Sequence, residues 1–290
     1  MFIDTHCHLN FKAFEGGEAT IVRKAQQVQV EMVVVPGTDV PTSQKAVRIA
    51  QKNPQVYALV GVHPHHVTHY MMQDDPTLAF ERDLPILESL VQEQKVVGMG
   101  EIGLDRHTYA VSKYGPSSVV SDSLFALQKM VFLRQLELAH RHGTSVSIHN
   151  REAHTDLIQI FEENAKLMQE LSHRIVLHCC EPMEALLNLA KRFGCFIGVD
   201  GDITYDRAKQ EFIRNVPLEM LVLETDAPYL LPEPWRSQKK YPNVPEYLPR
   251  IATEVARVKN VSVEMVAHVT TQNARVLFGL PQQKRSNHGK

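Results

Sequence analysis

The sequence predicts an α/β protein, a (β/α)8 barrel of the TIM type, and three observations carry that reading. Short runs rich in Val, Ile and Leu recur about eight times along the 290 residues, at the spacing of strands in a closed parallel sheet. Segments with apolar residues three and four apart lie between them, as crossover helices require. Each run is apolar almost throughout, which fits strands covered on both faces.

Taken in order, the strands are "FIDTH", "EMVVVPG", "VYALVGVHP", "VVGMGEIGLD", "TSVSIHNR", "RIVLHCC", "CFIGVDG" and "MLVLETDAP". The helical segments include "EATIVRKAQQVQV", "PTSQKAVRIAQKN", "LQKMVFLRQLELAHRHG" and "PMEALLNLAKRFG", most closing near a Gly or Asn. After the last strand come two C-terminal helices, "PEYLPRIATEVARVKN" and "SVEMVAHVTTQNARVLFGL", the second entered through a cap at Ser262. Barrels of this length commonly form one domain, here residues 1–280, with the polar tail 281–290 expected to fray. Residues 105–123 and 229–247 are longer than ordinary connections and follow strands with polar ends, so they read as lids or rims.

Composition narrows the function. Hydrophobic residues make up 43% and charged residues 22%, ordinary for a globular chain. Net charge is −2, so a nucleic-acid partner would be met by local contacts and not by a basic surface. No apolar run approaches the ~20 residues that span a bilayer, and the first strand begins at Phe2, which leaves no room for a signal peptide. The four cysteines form no C-x-x-C pair. The expectation is a cytoplasmic protein with no membrane contact and no obligate protein partner.

Histidine is over-used, with 15 in the chain, several at the ends of apolar runs. Barrel chemistry gathers at the carboxyl ends of strands, and five strands here end in metal-ligand types: His6 and His8, Glu101, His149, His178, and Asp226. Strand alternation puts His6 and His8 on one face and Cys7 on the other. An isolated H-x-H is a weak signal. Four imidazoles and two carboxylates at one rim are a strong one, because unpaired they would be costly to bury and together they suit divalent metals. Six ligands exceed the need of one four-coordinate ion, so two divalent cations are expected, with Zn, Mg and Mn all open. The assignment is one ion on His6, His8 and Asp226, a second on His149 and His178, and Glu101 spanning both. Two residues back from the ligands lie Asp4, Met99, Ser147, Val176 and Glu224. Asp4 and Glu224, charged and buried, are expected to orient ligands. Cys180 shares a face with His178 but reads as a buried thiol. No G-x-S-x-G elbow, H-E-x-x-H helix or phosphate-cradling glycine loop is present.

With those residues in place, the chain resembles the TatD family of metal-dependent DNases, within the amidohydrolase barrel group. "FIDTHCHL", "GVHPHH", "GEIGLD", "IHNREA", "HCCEP", "IGVDGDITY" and "LETDAPYLLP" fall in the family's order, and "TTQNARVLFGL" resembles its closing helix. The resemblance implies a distorted TIM barrel and the same six ligands. Two departures bear on substrate preference: Cys179 to Pro182 replace the family's aromatic, Ser and Gly, and the segment after Asp105 is longer than usual.

The resemblance also implies phosphodiester hydrolysis, with nucleotides removed stepwise from the 3′ end of single-stranded DNA. In that reading Asp226 and Glu101 are catalytic, Asp226 taking the proton from water. His63, His65 and Arg151 would hold phosphate oxygens, although a loop-structural role serves the two histidines equally well. Lys239 and Lys240 read as solvated, with a nucleic-acid backbone contact as the alternative. The rival enzyme reading is ester or amide hydrolysis, including deacylation of aminoacyl-tRNA. A third is a metal-binding scaffold without catalysis.

Overall fold

A computed structural model describes residues 1–108 and 119–282. The middle of the long 105–123 connection and the tail from residue 283 lie outside the described residues. Eight parallel strands pair in chain order: β1 (Phe2–Asp4), β2 (Val30–Pro36), β3 (Val56–Val60), β4 (Val96–Asp105), β5 (Ser145–Arg151), β6 (Ile175–Leu177), β7 (Phe196–Val199) and β8 (Leu221–Leu223). The Thr5 amide donates to the Leu223 carbonyl at 3.0 Å, and the Asp226 amide to that of His6 at 2.9 Å. The His8 amide in turn donates to the Ala227 carbonyl at 2.8 Å. These bonds bring the last strand's end back onto the first and close the barrel as the sequence predicts.

The surrounding helices are α1 (Glu18–Gln27), α2 (Val40–Lys52), α3 (Val67–Met71), α4 (Pro76–Val91) and α5 (Asp122–Arg141). They continue as α6 (His154–Glu163), α7 (Ala165–Glu170), α8 (Glu184–Phe193), α9 (Arg207–Asn215), α10 (Leu248–Lys259) and α11 (Val263–Phe278). Local signals fix several ends. Asp39 and Thr42 form a reciprocal cap on α2, and Ser262 accepts from the Met265 amide at 3.1 Å to start α11 as expected. Asn260 and Gly279 end the last two helices in left-handed conformation.

One packed region decides where the site lies. Ile3, Val34, Leu59, Val176, Phe196 and Val222 fill one end of the barrel with Ala274, Leu277 and Phe278 of α11. Asn273 of α11 donates to the Leu218 and Leu221 carbonyls and so ties that helix beneath the strands. With the amino end sealed by apolar contact, the polar strand ends collect at the opposite mouth.

Two departures from a regular ladder matter for the mouth. Between Met99 and Ile102 β4 advances three residues while β5 advances two, Val146 to Ile148, so β4 carries a bulge at Glu101. The Glu101 amide leaves the neighbouring strand and donates to the Gly37 carbonyl at 2.7 Å. The sixth and eighth strands are also shorter than their apolar runs. Cys179 and Asp226 take left-handed backbone, φ 45° and 50°, which turns the chain out of the sheet at a cost of about 1–3 kcal/mol each.

Candidate metal centre

Glu101 is the hub of the mouth. Its Oε2 lies 3.4 Å from His6 Nε2 and 3.6 Å from His8 Nε2. The other oxygen, Oε1, lies 2.9 Å from His149 Nδ1 and 3.3 Å from His178 Nε2. Asp226 Oδ1 joins the first group, 3.4 Å from His8 Nε2 and 3.9 Å from His6 Nε2. All six expected ligands are therefore brought together, divided between the two oxygens of one carboxylate. His63, one of the expected phosphate contacts, is buried, with Nε2 3.4 Å from Glu101 Oε1.

The donor chemistry fits divalent cations. His6 Nε2 and His8 Nε2 lie 3.3 Å apart and both face oxygens of Glu101 and Asp226, so ring nitrogens and carboxylates converge on one space, a donor set suited to a divalent cation. His6 and His178 are stacked at 3.6 Å between ring centroids, so two imidazoles are held edge-on to the same space.

Charge is strongly perturbed here. Burial pushes the Glu101 carboxyl up, but the imidazoles of His63 and His178 and hydrogen bonding from His149 and His178 outweigh it, leaving the pKa well below the carboxylate range. For His149 burial pulls down, whereas Asp105 and Glu101 hold the pKa up at about 9. His178 is likewise held well above its ordinary value by Glu224 and Glu101 against the effect of burial. His63 goes the other way, to about 3, because burial dominates. Protonated imidazoles thus balance the ionised hub, and cations would take over that balance.

The layer beneath supports the expected ligands in two ways. Glu224 Oε1 sits 3.2 Å from His178 Nδ1 and accepts from the Cys179 amide at 2.6 Å, so it sets the orientation of a ligand imidazole. Asp4 accepts from the Thr225 amide at 3.0 Å, the Thr225 hydroxyl at 2.7 Å and the His6 amide at 3.3 Å, anchoring both the turn that carries Asp226 and the backbone that carries His6. Burial, the largest influence on Asp4, raises its pKa to about 7.

Glu224 rests against Gly198. A Cβ there would lie 2.4 Å from Glu224 Oε1 and 2.6 Å from both Cδ and Oε2. Gly198→Ala is expected to displace that carboxylate and lower activity by about 10–100-fold, the range for losing a ligand's partner. Steady-state kinetics at saturating metal, beside unfolding curves, checks it: activity should fall more than stability.

Asp105 is the site residue that strand-end counting missed. Buried at the end of β4, its Oδ2 lies 2.9 Å from His149 Nε2 and 3.0 Å from His65 Nε2. Its signal was present: it lies four residues beyond Glu101 in "GEIGLD", and a carboxylate ending a buried strand needs a partner. Gly103 makes the approach possible, because any Cβ there would lie 1.9 Å from the His149 carbonyl. His65 stands at the opening, and Arg151 is exposed at the last position of β5.

A profile of the TatD related DNase family matches residues 3–279. The chain belongs to the TatD family. It is a metal-dependent hydrolase acting on ester bonds. A Bacillus subtilis member described as the uncharacterized metal-dependent hydrolase YabD is 30% identical over 281 residues, 96% of this chain and 99% of that one. A protein of Edwardsiella piscicida named 3′-5′ ssDNA/RNA exonuclease TatD is 31% identical over 283 residues, 96% and 99% of the two chains. The crystal structure of the TatD homolog YjjV from Escherichia coli K12 superposes with TM-score 0.78 at 30% identity, covering 97% of this chain and 98% of that one.

In this TatD chain the residues after His178 have definite tasks. Glu181 accepts from Asn150 Nδ2 and from the Glu152 amide, both at 3.0 Å, and so braces the segment that carries Arg151. Cys180 is buried, and burial pushes its thiol up to about 12. Cys179, Asp200 and Asp202 form a further cluster of ligand types, but a cation is already there. Lys209 Nζ lies 3.7 Å from Asp200 Oδ2 and 3.3 Å from Asp202 Oδ2. The rim 229–247 is likewise built: the buried Asn243 side chain donates to the Thr225 and Tyr229 carbonyls, both at 2.8 Å, and Trp235 stacks on Tyr247 at 3.9 Å. No helix among the described residues is long and apolar enough to cross a membrane.

Proposed function

We propose that the protein is a 3′–5′ exonuclease that releases nucleotides from single-stranded DNA, using two divalent cations held by the residues around Glu101. The observation that carries this reading is the division of Glu101, whose Oε2 faces His6 and His8 while Oε1 faces His149 and His178. A carboxylate shared in that way suits a pair of ions, and a pair suits in-line displacement at phosphorus. The exonuclease name carried by the Edwardsiella relative supports the choice of substrate.

Divalent cations bound there supply positive charge that acidifies a water and stabilises the charge growing on phosphate. The protein's own groups do the rest. His6, His8 and Asp226 hold one position; His149 and His178 hold the other, with His63 beside them. Asp226, whose side chain keeps 13% of its surface exposed, faces the open mouth and accepts the proton from water. His65 and Arg151 line the entrance and bind phosphate oxygens, guanidinium offering a fork matched to them. His63, buried against Glu101, meets a phosphate only at the bottom of the site.

Single-stranded DNA labelled near its 5′ end, incubated with Mg, Mn or Zn, is expected to shorten one nucleotide at a time from the 3′ end. Intact DNA with all three metals, together with turnover of a carboxylic ester panel or of aminoacyl-tRNA, would sink the nuclease reading in favour of acyl hydrolysis.

A further inference from the structure

Aromatic side chains form a corner beside His8. Phe11 lies nearly parallel to the His8 ring, with centroids 4.2 Å apart and 17° between planes. Tyr229 stands across both, 6.4 Å from His8 at 71° and 6.3 Å from Phe11 at 75°. His8 is buried and its Nε2 points to Glu101 and Asp226, so the corner begins where the donor cluster ends. Tyr229 nevertheless leaves 54% of its surface exposed.

Exposure of one tyrosine is ordinary at a protein surface. Two features set this one apart. Its backbone is fixed on both sides, the amide donating to the Asp226 carbonyl at 2.9 Å and the carbonyl accepting from Asn243 at 2.8 Å, so the turn that presents the ring is already ordered before binding. It also stands three residues from Asp226, on the same turn that delivers the proposed base. A planar ring entering this corner meets one aromatic face and one aromatic edge, the two arrangements such rings favour.

We infer that Tyr229, backed by Phe11, stacks on the nucleobase of the 3′-terminal nucleotide and so seats the scissile phosphate over the Glu101 cluster. This rests on the exonuclease reading. Stacking on an aromatic face serves every base, so the subsite selects for a base without selecting which. Tyr229 is thus a positioning residue that acts on the substrate and leaves the donor set untouched.

Two oligonucleotides test it, one ending in an ordinary 3′ nucleotide and one in a base-free sugar phosphate, with wild type, Tyr229→Phe and Tyr229→Leu. Tyr229→Leu is expected to lower kcat/KM on the base-bearing strand about 10-fold and to leave the base-free strand cleaved at the wild-type rate. Tyr229→Phe keeps the ring and should keep the preference. A second readout needs no turnover: with metal chelated, 2-aminopurine at the 3′ end should lose fluorescence on binding wild type and Tyr229→Phe, and retain it with Tyr229→Leu. Equal losses on both strands, or quenching that survives in Tyr229→Leu, would overturn the stacking assignment while leaving the nuclease intact. Failure of wild type to cleave either strand with any metal would overturn the nuclease reading and this inference with it.

Discussion

Glu101→Gln is expected to lower hydrolysis by about 10³-fold, above the roughly 10–100-fold cost of losing a partner one layer removed from the metal. Five imidazoles, those of His6, His8, His63, His149 and His178, lie within 3.6 Å of the two Glu101 oxygens. The amide keeps the shape but removes the anion, and it turns a donor NH2 toward nitrogens or cations that need an acceptor. Both halves of the site lose their common member at once. Elemental analysis should therefore find two equivalents of metal in the wild type and fewer than one in the variant. Asp226→Asn, which removes the proposed base but keeps a ligand oxygen, should bind metal better than Glu101→Gln and still lose about 10²–10⁴-fold in rate. Retention of every activity by Asp226→Asn would point to the scaffold reading. A folded Glu101→Gln protein that kept both metals and its rate would contradict the shared-carboxylate arrangement.

The hub was legible in the sequence because barrels place strand ends together and because ligand residue types are conspicuous in apolar runs. His6, His8, His178 and Asp226 stand just beyond such an end and His149 two residues before one, whereas Glu101 lies inside β4, four residues short of its end. What could not be read was how each side chain is aimed. The bulge that turns Glu101 into the mouth depends on the register of β4 against β5, which is a property of two strands and not of either. Counting back by two places Glu224 behind His178 and Asp4 beneath His6, but it cannot show that Asp4 also holds Thr225, 221 residues away in sequence. For His63 the sequence left a phosphate contact and a loop-structural role equally open, and only the closed barrel shows that it lies against Glu101. Asp105 was hidden for the same reason, as its histidine partners come from the ends of two other strands.

Lys209 shows the limit most plainly, and its loss should be the most damaging change to stability outside the donor cluster. On sequence it is one of many lysines on an amphipathic helix; in the fold it is only 1% exposed and donates to the Cys180 carbonyl at 2.6 Å while facing Asp200 and Asp202. Burial pushes Asp200 up, but the ammonium outweighs it and keeps that carboxyl below its usual range. Asp202 is pushed well above its range by burial and by the charge of Asp200. Together the three groups carry about one negative charge against one positive, a balance that Lys209→Met destroys. Leaving an unpaired charge in such a place costs about 3–5 kcal/mol, which for a chain this size lowers Tm by roughly 5–8 °C. Because the penalty comes from the stranded anion and not from lost attraction, removing the anion should undo it. The triple variant Lys209→Met, Asp200→Asn, Asp202→Asn keeps a side-chain oxygen at position 200 that can still accept from the backbone amide Asp200 now caps, and it is expected to recover most of the lost Tm. If the triple variant melted as low as Lys209→Met alone, packing around the lysine stem would be the source of stability. If Lys209→Met instead gained an equivalent of bound metal with no loss of Tm, the Cys179, Asp200 and Asp202 donors would form a cation site that the ammonium normally occupies.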